Sequence, residues 1–247
     1  MVSKQMHRAN SASKVEPAPA VKEHDLGDNV DYTTWRLVSA WRAVQVEECS
    51  GNVRQCIELR GKELAIACKE LSKVYCRFGR AAFAISRDIS MKTSVLMETF
   101  QNEKYQGKTI REMVQGELSD KCAMRRHSGT WAVVWLYRFI AYVEFFVDEL
   151  FSSPDRSASE IAIEGYQVTL KPHHPWLSRL LAPTLLKMIP RRERLYEYLG
   201  IDTEEGMDDF REFLELLKPV AASLDALLTE VDMKDFAAHK MAAEKDS

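Results

Sequence analysis

Arg138 stands in the run V-V-W-L-Y-R-F-I-A-Y-V, where its neighbours within a helical turn are all apolar or aromatic. A guanidinium in such surroundings must snorkel to solvent, pair with a buried acid or hold a ligand, because an unpaired buried charge is strongly unfavourable. Trp135, three residues earlier, falls on the same helical face. An indole beside a cation is either plain core or a flat stacking plate next to a charge. Asp88 and Lys92, in R-D-I-S-M-K, are four apart and so face the same way on a helix. An exposed pair at that spacing contributes only roughly tenths of a kcal/mol and accounts for itself with no function. K-P-H-H-P-W sets His173 and His174 between two prolines with Trp176 following, and two adjacent imidazoles cannot both face one way.

The rest of the chain offers no competing chemistry. There is no nucleophile elbow, Gly-rich phosphate loop or metal-ligand spacing, and an acid–base pairing of His174 with Asp88 is the one enzymatic alternative. The expectation is therefore a protein that is not an enzyme and uses no cofactor and no metal. Cys49, Cys56, Cys68, Cys76 and Cys122 lack any C-x-x-C pairing and read as reduced, packed thiols. With 34 Lys and Arg against 37 Asp and Glu, the formal charge of −3 provides no global basic field for nucleic acid. No apolar h-region follows Lys4, His7 and Arg8, so a cytoplasmic protein is expected. The most apolar run, Trp131 to Val147, is interrupted by Arg138 and Glu144 and closed by Asp148 and Glu149, which fits a buried helix better than a membrane span.

Helices must position these groups. In 247 residues that are 46% hydrophobic there are ten Gly and eight Pro, which leaves long stretches without a breaker. Apolar spacing predicts an all-α fold of eight or nine helices with no strands and no internal repeat. Residues 1–30 have the composition of a solvated, disordered tail. Trp35, Val38, Trp41, Val44 and Val46 mark an extra N-terminal helix within residues 31–50, ahead of a main domain over 51–232. In that domain the spacing predicts helices at about 57–78, with Gly79 as a cap, then 80–100, 108–126, 130–151, 158–171, 176–189, 191–199 and 204–230. Residues 233–247 read as a frayed tail. Lys171, Arg179, Lys187, Arg191, Arg192 and Arg194 face only Glu193, a basic run that could meet anionic lipid, whereas residues 202–235 carry eleven acids against three bases. Intramolecular pairing of the two runs is the alternative.

Taken in order, D-x-x-x-K at Asp88 and Lys92, W-L-x-R at Trp135, Leu136 and Arg138, and Y-x-x-x-L-x-x-x-H-P-W from Tyr166 through Leu170 and His174 to Trp176 resemble the glycolipid transfer protein superfamily. The segment L-L-K-M-I-P-R-R-E-R-L-Y-E-Y-L-G, Leu185 to Gly200, is similar to the family's stretch after its histidine motif. The likeness spans roughly Cys56 to Leu228 and rests on order and spacing, since no single piece is specific.

The resemblance implies a two-layer helical sandwich that holds one sphingolipid, its chains in an apolar cavity and its headgroup at a surface centre, with no bond made or broken. Asp88 would accept from the amide N–H and His174 would donate to the acyl carbonyl. Phe83, Ile85, Val133, Val134, Ile140, Val143, Phe145 and Phe146 are candidates for the core or the chain cavity. Trp176, with Arg179 and Lys187, would dock on a membrane surface.

For the headgroup the sequence departs from both branches of the family. The glycolipid branch has D-x-x-x-N-x-x-K, but here Lys92 replaces the Asn and Val95 the Lys. The ceramide-1-phosphate branch has D-x-x-x-K with an Arg where this chain has Trp135. Lys92 and Arg138, with Arg125 or Arg126 as further contacts, favour a phosphate-bearing sphingolipid over which Trp135 packs. The alternatives are a glycosphingolipid stacked on Trp135, and a sphingolipid sensor or adaptor. A monomer is expected, touching membranes transiently.

Overall fold

The computed structural model describes residues 32–45, 58–77 and 80–235. The tail expected at 1–30, Val46, Cys49, Cys56, the Gly79 cap and residues 236–247 lie outside them. Among the described residues the fold is all-α, with α1 (Thr34–Arg42), α2 (Gly61–Cys76), α3 (Arg80–Gln101), α4 (Ile110–Ser119), α5 (Gly129–Ser152), α6 (Ala158–Thr169), α7 (Trp176–Leu186), α8 (Arg192–Leu199) and α9 (Glu204–Glu230). A 3-10 turn, Lys171–His173, joins α6 to α7.

The two-layer sandwich is organised around α5, which packs against α3, α4, α6 and α9. Its start is fixed by polar groups that satisfy the free N–H groups of a helix end. Ser128 accepts from Trp131 N–H, while the buried carboxylate of Glu117 accepts from the Gly129 N–H at 2.9 Å, the Thr130 N–H at 2.8 Å and the Thr130 hydroxyl at 2.6 Å. At the other end Arg192 donates to the carbonyls of Ser153 at 2.6 Å and Arg156 at 2.8 Å, and to that of Leu150. Part of the basic run is thereby consumed in bracing a helix terminus. By length and composition α5 could cross a membrane, yet most of that apolar stretch is buried inside the protein.

The N-terminal helix joins the same core, since α1 lies on α9 and α2. Trp41 is fully buried with its ring 5.6 Å from that of Phe213, Arg42 pairs with Glu212 at 2.6 Å, and Thr34 donates to Asp209 at 2.7 Å. The acids of α9 are matched by Arg42, by Arg111 on Glu230 and by Lys234 on Asp225. None of these partners belongs to the basic run at 171–194.

Several expected boundaries shift. The helix expected at 108–126 stops at Ser119, because Lys121 takes a left-handed φ of 56° and the N–H groups of Cys122 and Ala123 fold back onto the Glu117 carbonyl. The freed segment becomes a loop carrying Arg125, Arg126 and His127. The helix expected to run to Lys171 ends at Thr169, where Pro172 turns the chain into the 3-10 turn, and α7 ends at Leu186. The C-terminal segment expected to fray is held through its first residues: Met233 is buried, its N–H donates to Leu228 at 2.8 Å, and Lys234 pairs with Asp225 at 2.6 Å.

Candidate functional site

Three segments meet at one place: the middle of α3, the first half of α5 and the turn between α6 and α7. From α3, Asp88 and Lys92 form an intrahelical ion pair of unequal burial, with the Lys92 side chain 7% exposed and that of Asp88 58%. The carboxylate thus reaches solvent while the ammonium stays inside. Burial pulls the Lys92 pKa below its ordinary value; Asp88 pulls it back up, and Arg126 adds to the lowering. Arg126 is accordingly the loop residue whose charge bears on this group. Arg125 is exposed on the same loop.

From α5, Trp131 and Trp135 present their indoles one turn apart, with the Lys92 ammonium 5.5 Å from the centre of the first ring and 5.3 Å from the centre of the second. Trp131 was not among the site residues expected from sequence. His127 lies against it, ring centres 5.1 Å apart. The Arg138 guanidinium carbon sits 4.8 Å from the Trp135 ring centre, and the residue is 2% exposed. Its Nη2 donates to the Lys234 carbonyl at 2.8 Å, whereas its Nε and Nη1 have no hydrogen-bond partner among the described residues. Burial lowers its pKa to about 10, against the pull of Asp235 and Tyr137. Of the alternatives raised by the sequence, the guanidinium neither snorkels out nor pairs with a buried acid; it lies behind Trp135 under the C-terminal segment.

From the α6–α7 turn, His174 faces Trp135 in a stacked arrangement, ring centres 6.0 Å apart at 25°. Its Nδ1 is 3.3 Å from the Tyr166 hydroxyl, which also lies 3.4 Å from the Ser178 carbonyl. When the Tyr166 proton goes to Nδ1, the imidazole proton resides on Nε2 and His174 becomes a donor at its far side. Burial keeps its pKa below the usual histidine value; Asp88 opposes this, and Lys92, Arg138 and Arg179 reinforce it. His173 also belongs here: burial and the Arg138 charge bring its pKa to about 4, and its buried Nδ1 has no partner among the described residues. Adjacent imidazoles can both approach the site because the 3-10 turn ends between them. Asp88, Lys92, Trp135, Arg138 and His174 are therefore brought together.

The expected docking residues lie beside this cluster. Trp176 is 73% exposed, and Leu177, Leu180, Leu181, Leu185 and Met188 are exposed with it, so that α7 has no buried side chain. Arg179 donates from Nε to the His174 carbonyl at 2.7 Å and from Nη2 to the Pro172 carbonyl at 3.0 Å, which makes it a brace for the histidine turn. Lys187 is exposed just beyond α7. Among the proposed core and cavity residues, Val133, Val134, Ile140 and Val143 are buried, Ile85, Phe145 and Phe146 are half-buried, and Phe83 is exposed.

The profile of the family described as "Glycolipid transfer protein (GLTP)" matches residues 59–201, more than half of the chain. The chain belongs to the glycolipid transfer protein family. Its relatives include glycolipid transfer protein 3 of Arabidopsis thaliana, 20% identical over 210 residues that make up 84% of this chain and 89% of the relative. The ceramide-1-phosphate transfer protein of Mus musculus is 26% identical over 199 residues, 74% of this chain and 91% of that one. The crystal structure of human ceramide-1-phosphate transfer protein with 12:0 ceramide-1-phosphate superposes with a TM-score of 0.70 at 21% identity, covering 83% of this chain and 98% of that chain. The all-α sandwich expected from the sequence is thus the fold of the glycolipid transfer protein family, whose members are lipid carriers. The converging residues lie within its matched region.

Proposed function

We propose that this protein is a non-enzymatic carrier that moves a sphingolipid with a phosphate-bearing headgroup between membranes, acting as a cytoplasmic monomer that touches bilayers transiently. The observation that carries the headgroup assignment is the pair of cations gathered at Trp135, the Lys92 ammonium 5.3 Å and the Arg138 guanidinium 4.8 Å from its ring centre, with Asp88 the one carboxylate paired to Lys92. Arg126 adds a further positive charge at Lys92. A neutral sugar leaves that excess uncompensated, whereas an anionic headgroup neutralises it and accepts the N–H donors that Asp88 leaves on the Lys92 ammonium.

In this reading the exposed carboxylate of Asp88 accepts from the ceramide amide N–H, and Nε2 of neutral His174 donates to the acyl carbonyl. Trp135 packs between them and the cations, and Arg138 contributes from behind the indole. The aliphatic chains leave water for the apolar interior along α5, worth about 25 cal/mol per Å² of apolar surface removed. The apolar face of α7, led by Trp176 with Lys187 at its end, lies on the bilayer while the lipid is exchanged.

The test is vesicle-to-vesicle transfer with ceramide-1-phosphate, galactosylceramide and sphingomyelin as competing cargo. Preferred transfer of the phosphate lipid, lost in Lys92→Ala, is the expected result. Preference for galactosylceramide, lost in Trp135→Ala, would assign a glycosphingolipid carrier instead. Tight binding without transfer would leave a sensor.

A further inference from the structure

Arg138, the most deeply buried cation of the cluster, is covered by the protein's own chain. Beyond α9 the backbone turns at Asp232, whose φ of 54° is left-handed, and the buried Met233 is fastened to the Leu228 carbonyl at 2.8 Å. The Lys234 carbonyl then accepts from Nη2 of Arg138 at 2.8 Å. Asp235 is exposed just beyond, and its charge bears on both Arg138 and His173. Nε and Nη1 of Arg138 and Nδ1 of His173 are buried with no hydrogen-bond partner among the described residues. We propose that residues 232–235 form a strap that occupies Arg138 in place of an anionic headgroup and swings away from Lys234 onward when a phosphate takes the guanidinium. This inference rests on the phosphate-carrier function proposed above and adds a gate to it.

The exchange is favourable because the strap satisfies the guanidinium poorly. A backbone carbonyl gives Arg138 one neutral acceptor and leaves two of its nitrogens unpaired. A phosphate brings several charged oxygens in a geometry that matches the guanidinium fork, and charge-assisted bonds of that kind are roughly twice as strong as neutral ones. With Arg138 only 2% exposed, however, an anion arriving from solvent does not touch it while the strap lies in place. What fastens the free end is weak. Lys234 pairs with Asp225 at 2.6 Å, but the two side chains are 44% and 41% exposed, and an ion pair in that setting contributes little. Asp225 also accepts from the Tyr137 hydroxyl, so this clamp stands on α5 one residue before Arg138. Met233 is the fixed point, and the part that moves begins after it. A ligand shifts such an equilibrium only as far as it prefers one state over the other. A neutral headgroup makes no charged bond to Arg138 and therefore does not lift the strap, so the gate works for anionic cargo.

The experiment is equilibrium binding of ceramide-1-phosphate and of galactosylceramide, each presented in phosphatidylcholine vesicles, to the full chain and to its Lys234→Ala and Lys234→Arg variants. Lys234→Ala breaks the clamp and also removes a positive charge, so the two effects have opposite signs. A loosened strap raises the affinity for ceramide-1-phosphate about threefold, because a closed state reduces apparent affinity by the fraction that is open. Loss of a nearby cation alone lowers it. Lys234→Arg keeps the ion pair and binds as the parent does, and galactosylceramide binds all three chains alike. Trypsin supplies a second readout, since the carbonyl held by Arg138 is that of the bond it cuts after Lys234. Ceramide-1-phosphate is expected to speed that cut, followed by mass spectrometry, and galactosylceramide to leave it unchanged. Unchanged or lower affinity for ceramide-1-phosphate in Lys234→Ala, or a slower cut when that lipid is bound, overturns the gate and leaves the phosphate carrier standing. An equal rise for galactosylceramide overturns Arg138 as the point of exchange. Absence of ceramide-1-phosphate binding in parent and variants alike overturns both the gate and the carrier reading.

Discussion

Arg138 and Trp135 are one turn apart in α5, and the guanidinium carbon of the first lies 4.8 Å from the ring centre of the second. The charge is almost wholly buried, and two of its three nitrogens have no hydrogen-bond partner among the described residues. Such a group costs folding energy that a hydrophobic residue of similar volume would not. Arg138→Met is expected to hold the unfolding midpoint within about 1 kcal/mol of the parent or to raise it, while weakening transfer of anionic cargo. Arg138→Ala adds a cavity and should cost about 2–4 kcal/mol. Urea titration beside a transfer assay separates the two effects.

Asp88→Asn keeps the shape of the side chain and removes its charge. A charge-assisted hydrogen bond is worth about 1.5–3 kcal/mol, so cargo affinity should fall about 10–100-fold. Tyr166→Phe should have a milder effect, about threefold to tenfold, by removing the hydroxyl that orients His174. Equilibrium binding of a fluorescent sphingolipid measures both.

His173 supplies a pH test. Its folded pKa, about 4, is below the usual 6.5, so between those values the unfolded chain binds more protons than the folded one. Stability therefore falls as pH drops from 6.5 toward 4. His174 is shifted the same way and adds to the slope. Chemical denaturation at pH 7 and pH 5 should show the loss, and His173→Phe should shrink it.

Glu117 holds the start of α5 through two backbone N–H groups and one hydroxyl. Glu117→Ala leaves those donors buried and unpaired, with an expected cost of about 2–4 kcal/mol. The urea midpoint should drop, with cargo preference unchanged in the protein that remains folded.

Trp176→Ala should do the reverse. Its side chain is exposed, so thermal stability is expected to stay put while vesicle binding and transfer rate fall. A sedimentation assay with anionic vesicles, run beside a melting curve, checks both halves.

Much of this architecture could be read from periodicity, because long apolar stripes such as that of α5 leave few alternatives. The spans of α3, α5 and α9 agree with the expected ranges to within a residue at either end. Where the reading overshot, at the end of α4 and beyond Met233, backbone and side-chain bonds peculiar to the folded state decide: the Glu117 carbonyl capping one helix, and Asp225 holding Lys234. The site was legible to the extent that its residues carry charge in unusual surroundings. Trp131 carried no such mark, since a tryptophan at helical spacing gives no sign of facing a lysine on another helix. One signal was available, its position one turn before Trp135 on the same face. That both His173 and His174 approach the cluster was hidden by the 3-10 turn, which breaks the alternation expected of adjacent side chains.

Helix α7 contributes no buried side chain to the molecule. Pro183 within it also lacks the N–H that would close one of its hydrogen bonds. An eleven-residue helix whose packed edge is only half-buried, at Ala182 and Leu186, and whose ladder is incomplete is weakly held in water. Its amides should exchange with deuterium long before those of α5, and the ratio of the two exchange rates becomes a gauge of whether anything is resting on that face.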